Sequence, residues 1–119
     1  MACTITPHRQ GCLATYSGHV SFDEFLRVVQ HIHIQHNYDT MQHVIHDLSA
    51  VTSLDLAHVS LITLMSHELG ARHTNPSIRT AMVSTNPDLK ALVKAVNTKT
   101  KLKMELFASM QELMSKNGF

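Results

Sequence analysis

The sequence predicts an α/β fold: a single-domain sandwich, ββαβαβαβα in order, with helices packed on a mixed, mostly parallel sheet. Three observations carry this expectation. Short β-branched and apolar runs alternate with segments whose apolar residues recur every three or four positions. Helix-start signals stand at Ser21, Asn86 and Ser109. The chain has 119 residues, enough to bury one core but not two, so residues 1–119 form one domain. Strands separated by helices of about ten or more residues pair in parallel through right-handed crossovers, which leaves only the opening hairpin antiparallel.

Thr4–His8 and Cys12–Val20 read as two strands turning at Gln10-Gly11. In that register Cys12 lies opposite Arg9 and Cys3 near Gly18, too far apart for a disulfide. Ser21-Phe22-Asp23-Glu24 is a capping box, in which Ser21 caps and Glu24 reaches back. Phe22, Phe25, Leu26, Val29 and Ile32 then line one face of an amphipathic helix that ends near Asn37. His43–Leu48 is a short strand and Ser49–Ser53 a loop. Leu54–Ala71 follows as a helix whose apolar surface is too broad for one stripe. Ile78–Ser84 alternates into a strand. Asn86-Pro87-Asp88 then supplies an N-cap, a proline in the first helical position and an acid in the first turn of a helix reaching Asn97. Thr98–Lys103 is a polar connector and Met104–Phe107 a short strand. Ser109-Met110-Gln111-Glu112 opens a terminal helix that stops at Asn117-Gly118.

Ten Lys/Arg against nine Asp/Glu give a formal charge of +1, which removes the electrostatic reason to expect nucleic acid as a partner. Lys94, Lys99, Lys101 and Lys103 have no aromatic residues between them and read as a solvated surface. No apolar run approaches the length of a membrane span, and the first residues lack a signal-peptide layout. Two cysteines outside any CxxC spacing point to a reducing cytoplasm rather than to a redox or metal pair.

Ten histidines equal all the lysines and arginines together, yet no metal site or cofactor is expected from them. His31 and His33 lie on opposite sides of their helix, while His33 and His36 are one turn apart and could hold half a zinc site or cap the last carbonyls. His43 and His46 point to opposite faces of their strand, and His58 reads as a buried, hydrogen-bonded residue. His67-Glu68 starts like HExxH, but Ala71 stands where the second ligand is needed. The histidines therefore read as a charge reserve titrating near pH ~6.5, with looser self-association expected below about pH 6. There is no GxSxG elbow, GxxxxGK loop or GxGxxG turn, and no acid–base set converges, so no catalytic residue is expected.

Open parallel sheets bind at the carboxyl ends of their strands. Three loops should meet there, contributing Asp47, Ser49, Thr52, Asp55, Thr85, Asn86 and Ser109 as a ligand or partner site. Asp55, Asn86 and Ser109 also have helix-capping work to do. Leu56, Val59, Leu61, Leu64 and Met65 form the extra apolar surface of the second helix, a candidate face for a homodimer or another protein.

At Asp47-Leu48-Ser49-Ala50-Val51-Thr52-Ser53-Leu54-Asp55 the chain resembles the DLSxVxxxD segment of STAS domains, the family of bacterial anti-sigma-factor antagonists. The opening hairpin, the SFDEF helix entry, IRTAMVST with NPDLKAL, and MELFASMQEL resemble the family's divergent SpoIIAA-like branch, whose fold is related to CRAL-TRIO lipid-binding domains. The resemblance implies a non-enzymatic regulatory module that contacts proteins through the loop at Asp55 and the helix after it. In the family's phospho-switch members Ser-Ser-Gly follows the aspartate and the second serine accepts phosphate. Here Leu56-Ala57-His58 follows Asp55, and Ala57 has no hydroxyl, so the resemblance implies no phosphorylation switch at that place. The CRAL-TRIO relation implies the alternative, a small apolar ligand or lipid held between sheet and helices.

Overall fold

The computed structural model describes residues 1–56, 60–116 and 118–119, and the side chains of all of these except 60–62. Strands β1 (Ala2–His8) and β2 (Gly11–Ser21) form the antiparallel hairpin, followed by helix α1 (Phe22–His33) and a single 3-10 turn at Tyr38–Thr40. Strand β3 (His43–Asp55), helix α2 (Ser60–Ala71), β4 (Arg79–Val83), α3 (Pro87–Lys99), β5 (Glu105–Phe107) and α4 (Met110–Met114) complete the chain. The sheet order is β1-β2-β3-β4-β5, with every pair after the hairpin parallel. The predicted element string and the mixed sheet are therefore those of the molecule.

The locally encoded helix starts form as the sequence dictates. Ser21 Oγ accepts from the Glu24 amide at 3.2 Å, and Glu24 Oε1 accepts from the Ser21 amide at 3.2 Å, closing the capping box. Asn86 Oδ1 accepts from the amides of Asp88 and Leu89 at 2.8 and 3.3 Å. Ser109 Oγ accepts from the Glu112 amide at 3.1 Å, while Glu112 Oε2 accepts from the Ala108 amide at 3.1 Å.

Five boundaries depart from the sequence reading. The hairpin turns at Arg9-Gln10, so Cys12 lies opposite Pro7 and Cys3 opposite Tyr16; both thiols remain free. Arg9 takes the left-handed φ of 54° that this tight turn needs, a conformation that arginine does not advertise. Helix α1 stops at His33 instead of Asn37, because the chain turns there to bury Tyr38 and Met41. The expected loop Ser49–Ser53 is strand. β2 is long, and its second half pairs with β3 from Ser17↔Ala50 to Ser21↔Asp55, satisfying backbone groups that would otherwise lack partners. The second helix consequently starts at Ser60 and not at Leu54. The terminal helix ends at Met114; Asn117, part of its expected stop, lies outside the described residues.

Alternation along the strands divides the core into two layers. Ala14, Tyr16, Val44, Leu48 and Met82 face Phe25, Val29, Ile32, Leu64, Leu89 and Val96 from the long helices. Ile45, Ala81, Val83 and Phe107 face the other way, where Leu113 of α4 and Phe119 cover them. Arg79 ties this smaller layer together: its fork meets Glu105 at 2.9 and 3.1 Å, and its guanidinium lies 3.9 Å from the centre of the Phe119 ring. Phe119 also packs edge-on against Phe107 and His43. Phe119→Ala is expected to lower unfolding stability by about 3–5 kcal/mol. Urea titration checks this through a fall in midpoint at unchanged slope.

Candidate functional site

The carboxyl ends of the parallel strands are uneven. The last β3–β4 pair is Asp47↔Val83, and beyond it β3 runs on to Asp55 with β2 as its only strand partner. Ser49, Ala50, Thr52, Ser53 and Asp55 are exposed on this ribbon, whereas Val51 and Leu54 turn partly into the core. Beside the ribbon, the β4–α3 and β5–α4 turns enclose an open cleft of about 290 Å³. Ser84, Thr85, Asn86 and Lys90 line one side of it, and Leu106, Phe107, Ala108 and Glu112 the other. The Asn86 carbonyl is spent on its own helix and the Glu112 carboxylate on the Ala108 amide. The side chains of Thr85 and Lys90 make no described hydrogen bond or ion pair, which leaves a hydroxyl and an ammonium to meet a polar group from outside. Among the described residues no nucleophile stands beside a base in this cleft.

The sequence-predicted site residues thus divide into three groups. Thr85 and Asn86 line the cleft. Asp47 and Ser49 form a local turn, in which the Asp47 carboxylate accepts from the Ser49 amide at 3.0 Å and from its hydroxyl at 2.6 Å; Thr52 and Asp55 lie farther along the ribbon. Ser109 caps α4 and does not line the cleft. Lys90 and Glu112 were not foreseen. Their signal was present as the fourth residue of the helix that Pro87 begins and as the closing acid of a capping box, each about one turn into its helix and so aimed back over its start.

Helix α2 needs a correction. Leu64 is fully buried among the core side chains, so it cannot belong to an exposed face; Leu56 and Met65 are half-buried and pack on the same core. Val59, with Ala57 and His58, lies outside the described residues, as does the side chain of Leu61. Among the described side chains of the helix, the exposed large apolar residue is Leu69.

Behind α2 is a buried polar cluster. Tyr16 Oη lies 2.8 Å from His46 Nδ1, and His46 packs against the Phe25 ring. Glu68 from α2 is 97% enclosed, and the His33 ring of α1 lies beside it, Nε2 to Oε1 3.8 Å, too long for a hydrogen bond. Tyr38 and Thr80 close the group, leaving no room for a water molecule beside Glu68. Burial pushes Glu68 up to about 7, against the opposing pull of Arg72. Burial also lowers His46 to about 3, with help from His33, and His33 to about 4, with help from His67. His36 is exposed beyond the end of α1, so the pair foreseen with His33 does not form. Among the described residues no three His, Cys, Asp or Glu side chains are placed to hold a metal ion.

No family model matches the sequence, and no curated protein matches it. Solved structures do. The anti-sigma factor antagonist SpoIIAA in its unphosphorylated form superposes with a TM-score of 0.63 at 10% identity, covering 96% of both chains. An anti-sigma factor antagonist from Mycobacterium paratuberculosis gives 0.60 at 16% identity, over 96% of this chain and 91% of the other. An uncharacterized DUF3478-family protein with a SpoIIAA-like fold, from Shewanella loihica PV-4, gives 0.53 at 13%, over 96% and 90%. The chain has the SpoIIAA-like fold.

Within this SpoIIAA-like sheet the histidines are not one uniform charge reserve. His33 and His46 are neutral through the range in which free histidine titrates, and burial lowers His43 as well. A histidine whose pKa falls on folding contributes stability that is complete above its unfolded value of 6.5 and is lost as pH drops toward 4 or 3. Glu68 runs the other way: its contribution is complete below 4.5 and lost as pH rises through about 7. The two losses overlap from pH 4.5 to 6.5, where two histidines outweigh one carboxyl, so the joint contribution is greatest close to 6.5. Glu68→Gln is expected to raise stability at about pH 8 by up to about 3 kcal/mol and to change it little near pH ~4.5. Denaturant midpoints measured across pH on both proteins check the crossover.

Proposed function

We propose that the chain is a STAS-type regulatory module of the cytoplasm that works through protein contact and not through catalysis. The observation that carries this reading is the fold itself, shared over 96% of the chain with two structures that are anti-sigma factor antagonists. The site agrees with it. The β3 ribbon presents Thr52 and Asp55 on an exposed strand, and the neighbouring cleft offers Thr85 and Lys90 without a nucleophile–base pair. A short polar strip beside a shallow cleft suits a protein surface better than a small substrate, which needs an enclosed pocket. One of the similar structures is SpoIIAA in its phosphorylated form. Ala57 has no hydroxyl to carry such a group, so the proposed contact operates without a phosphate switch at that residue.

The test is site-specific photo-crosslinking in the host cell. A photoreactive residue at Thr52 or at Thr85 is expected to capture one discrete protein, and Asp55→Lys is expected to weaken the purified pair at least about tenfold, or ~1.4 kcal/mol. The absence of any protein adduct from both positions would overturn the reading.

A further inference from the structure

The two edges of the sheet are unlike. β5 is three residues long and carries Glu105 held by Arg79, a short and charged edge of the kind that resists pairing. β1 is seven residues, Ala-Cys-Thr-Ile-Thr-Pro-His, with no Lys, Arg, Asp or Glu along it and, among the described residues, no strand paired on its outer side. Thr4, Ile5, Thr6 and Pro7 are all exposed there, Ile5 at 38%.

Which backbone groups are free follows from the turn. A two-residue connection at Arg9-Gln10 makes His8↔Gly11 a hydrogen-bonded pair, and strict alternation makes Thr6↔Leu13 and Thr4↔Thr15 bonded pairs as well. Cys3, Ile5 and Pro7 therefore turn their backbone polar groups outward. The proline's missing N–H falls on this open side, where it costs the hairpin nothing.

We infer that β1 is a homodimer edge, on which a second copy pairs its own β1 antiparallel about a two-fold axis through Ile5. In this register the Ile5 amide and carbonyl bond reciprocally across the axis, and each Cys3 amide meets the other copy's Pro7 carbonyl. The missing proline N–H costs only the return bonds. Ile5 packs on Ile5, and Thr4 lies opposite Thr6, which are favourable cross-strand pairs. Charge selects the same register. Arg9 follows the end of β1 and has no ion pair among the described residues. The acidic first turn of α1, Asp23 and Glu24, sits at the other end of β1, where Glu24 lies 3.7 Å from the Met1 ammonium. Antiparallel pairing brings each Arg9 level with the other copy's Met1, whose ammonium already faces Glu24, so the acid of that turn with no ion pair among the described residues, Asp23, is the one left for the guanidinium. The contact is isologous and self-closing, joining two five-stranded sheets into one of ten. It lies on the outer strand of the hairpin, away from the β3 ribbon, and does not depend on the function proposed above.

The experiment is sedimentation of the full chain over a concentration series, joined to amide hydrogen exchange. A dimer is expected, with the Cys3 and Ile5 amides protected at high concentration and released on dilution while Thr4 and Thr6 stay protected throughout. Ile5→Lys is expected to raise the dimer dissociation constant at least about tenfold with unchanged circular dichroism. Arg9→Asp is expected to weaken the dimer and Asp23→Arg, added to it, to restore it; misfolding would not produce such a rescue. A chain that sediments as a monomer throughout overturns the inference, as does a dimer whose Cys3 and Ile5 amides exchange freely or one that Ile5→Lys leaves intact.

Discussion

At the middle of the sheet, β3 turns Val44, His46 and Leu48 toward the three long helices and His43, Ile45 and Asp47 toward the opposite side. A strand buried on both faces has no solvent to receive a polar side chain, so each buried histidine must be uncharged and partnered. His46 meets this demand through Tyr16 on the neighbouring strand, and His43 Nε2 through the His8 carbonyl at 2.9 Å. Both partners belong to the hairpin, so the register between β2 and β3 fixes the polar contacts and the apolar layers together. A slip by one residue would exchange the two faces and strand both imidazoles. Gly11 fits the same constraint: a Cβ there would collide with the His43 carbonyl and ring, so the close approach of hairpin and central strand excludes a side chain.

The features legible in the sequence are those whose cause lies within a few residues. Ser21 with Glu24, Asn86 with Pro87, and Ser109 with Glu112 each need only one turn of chain to act, and each caps its helix as read. The β3 extension is the opposite case. Ser49-Ala50-Val51-Thr52-Ser53 contains no strong strand signal, and Leu54 with Leu56 falls into helical spacing with the residues after it. What makes these residues strand is a partner some thirty positions earlier, since β2 is longer than any other available neighbour and its backbone must be paired. Local periodicity cannot register that demand. The same limit applies to Leu64: its broad apolar helix was legible, but the direction of the core was not, because that depends on where α1 and the sheet lie.

The candidate site was partly legible for a related reason. That a parallel sheet binds at its carboxyl edge is a property of topology, so Thr85 and Asn86 could be placed from the element string alone. Which strand ends stand level is a matter of length, and there the ribbon changes the outcome. β3 outruns β4, lifting Thr52 and Asp55 away from the cleft, and the space left beside it is lined by Lys90 and Glu112 from the first turns of two helices. The edge is therefore a strip and a shallow recess side by side.

Burial of Glu68 adds a constraint on α2 that the sheet alone does not impose. The carboxyl faces His33 from α1, Tyr38 from the 3-10 turn and His46 and Thr80 from the sheet, with His67 nearby on its own helix and Arg72 just past the end of it. The neutral form of Glu68 suits this apolar and imidazole-lined setting better than the ionised one, because no described donor reaches the carboxylate and the pull of Arg72 offsets only part of the desolvation cost. The helix that follows the proposed contact strip thus rests on a group whose charge changes near neutrality. Leu64 of the same helix is locked into the core one turn earlier, so any loosening at Glu68 acts on a segment already anchored at its middle. The β3 ribbon is held separately, by its pairing with β2.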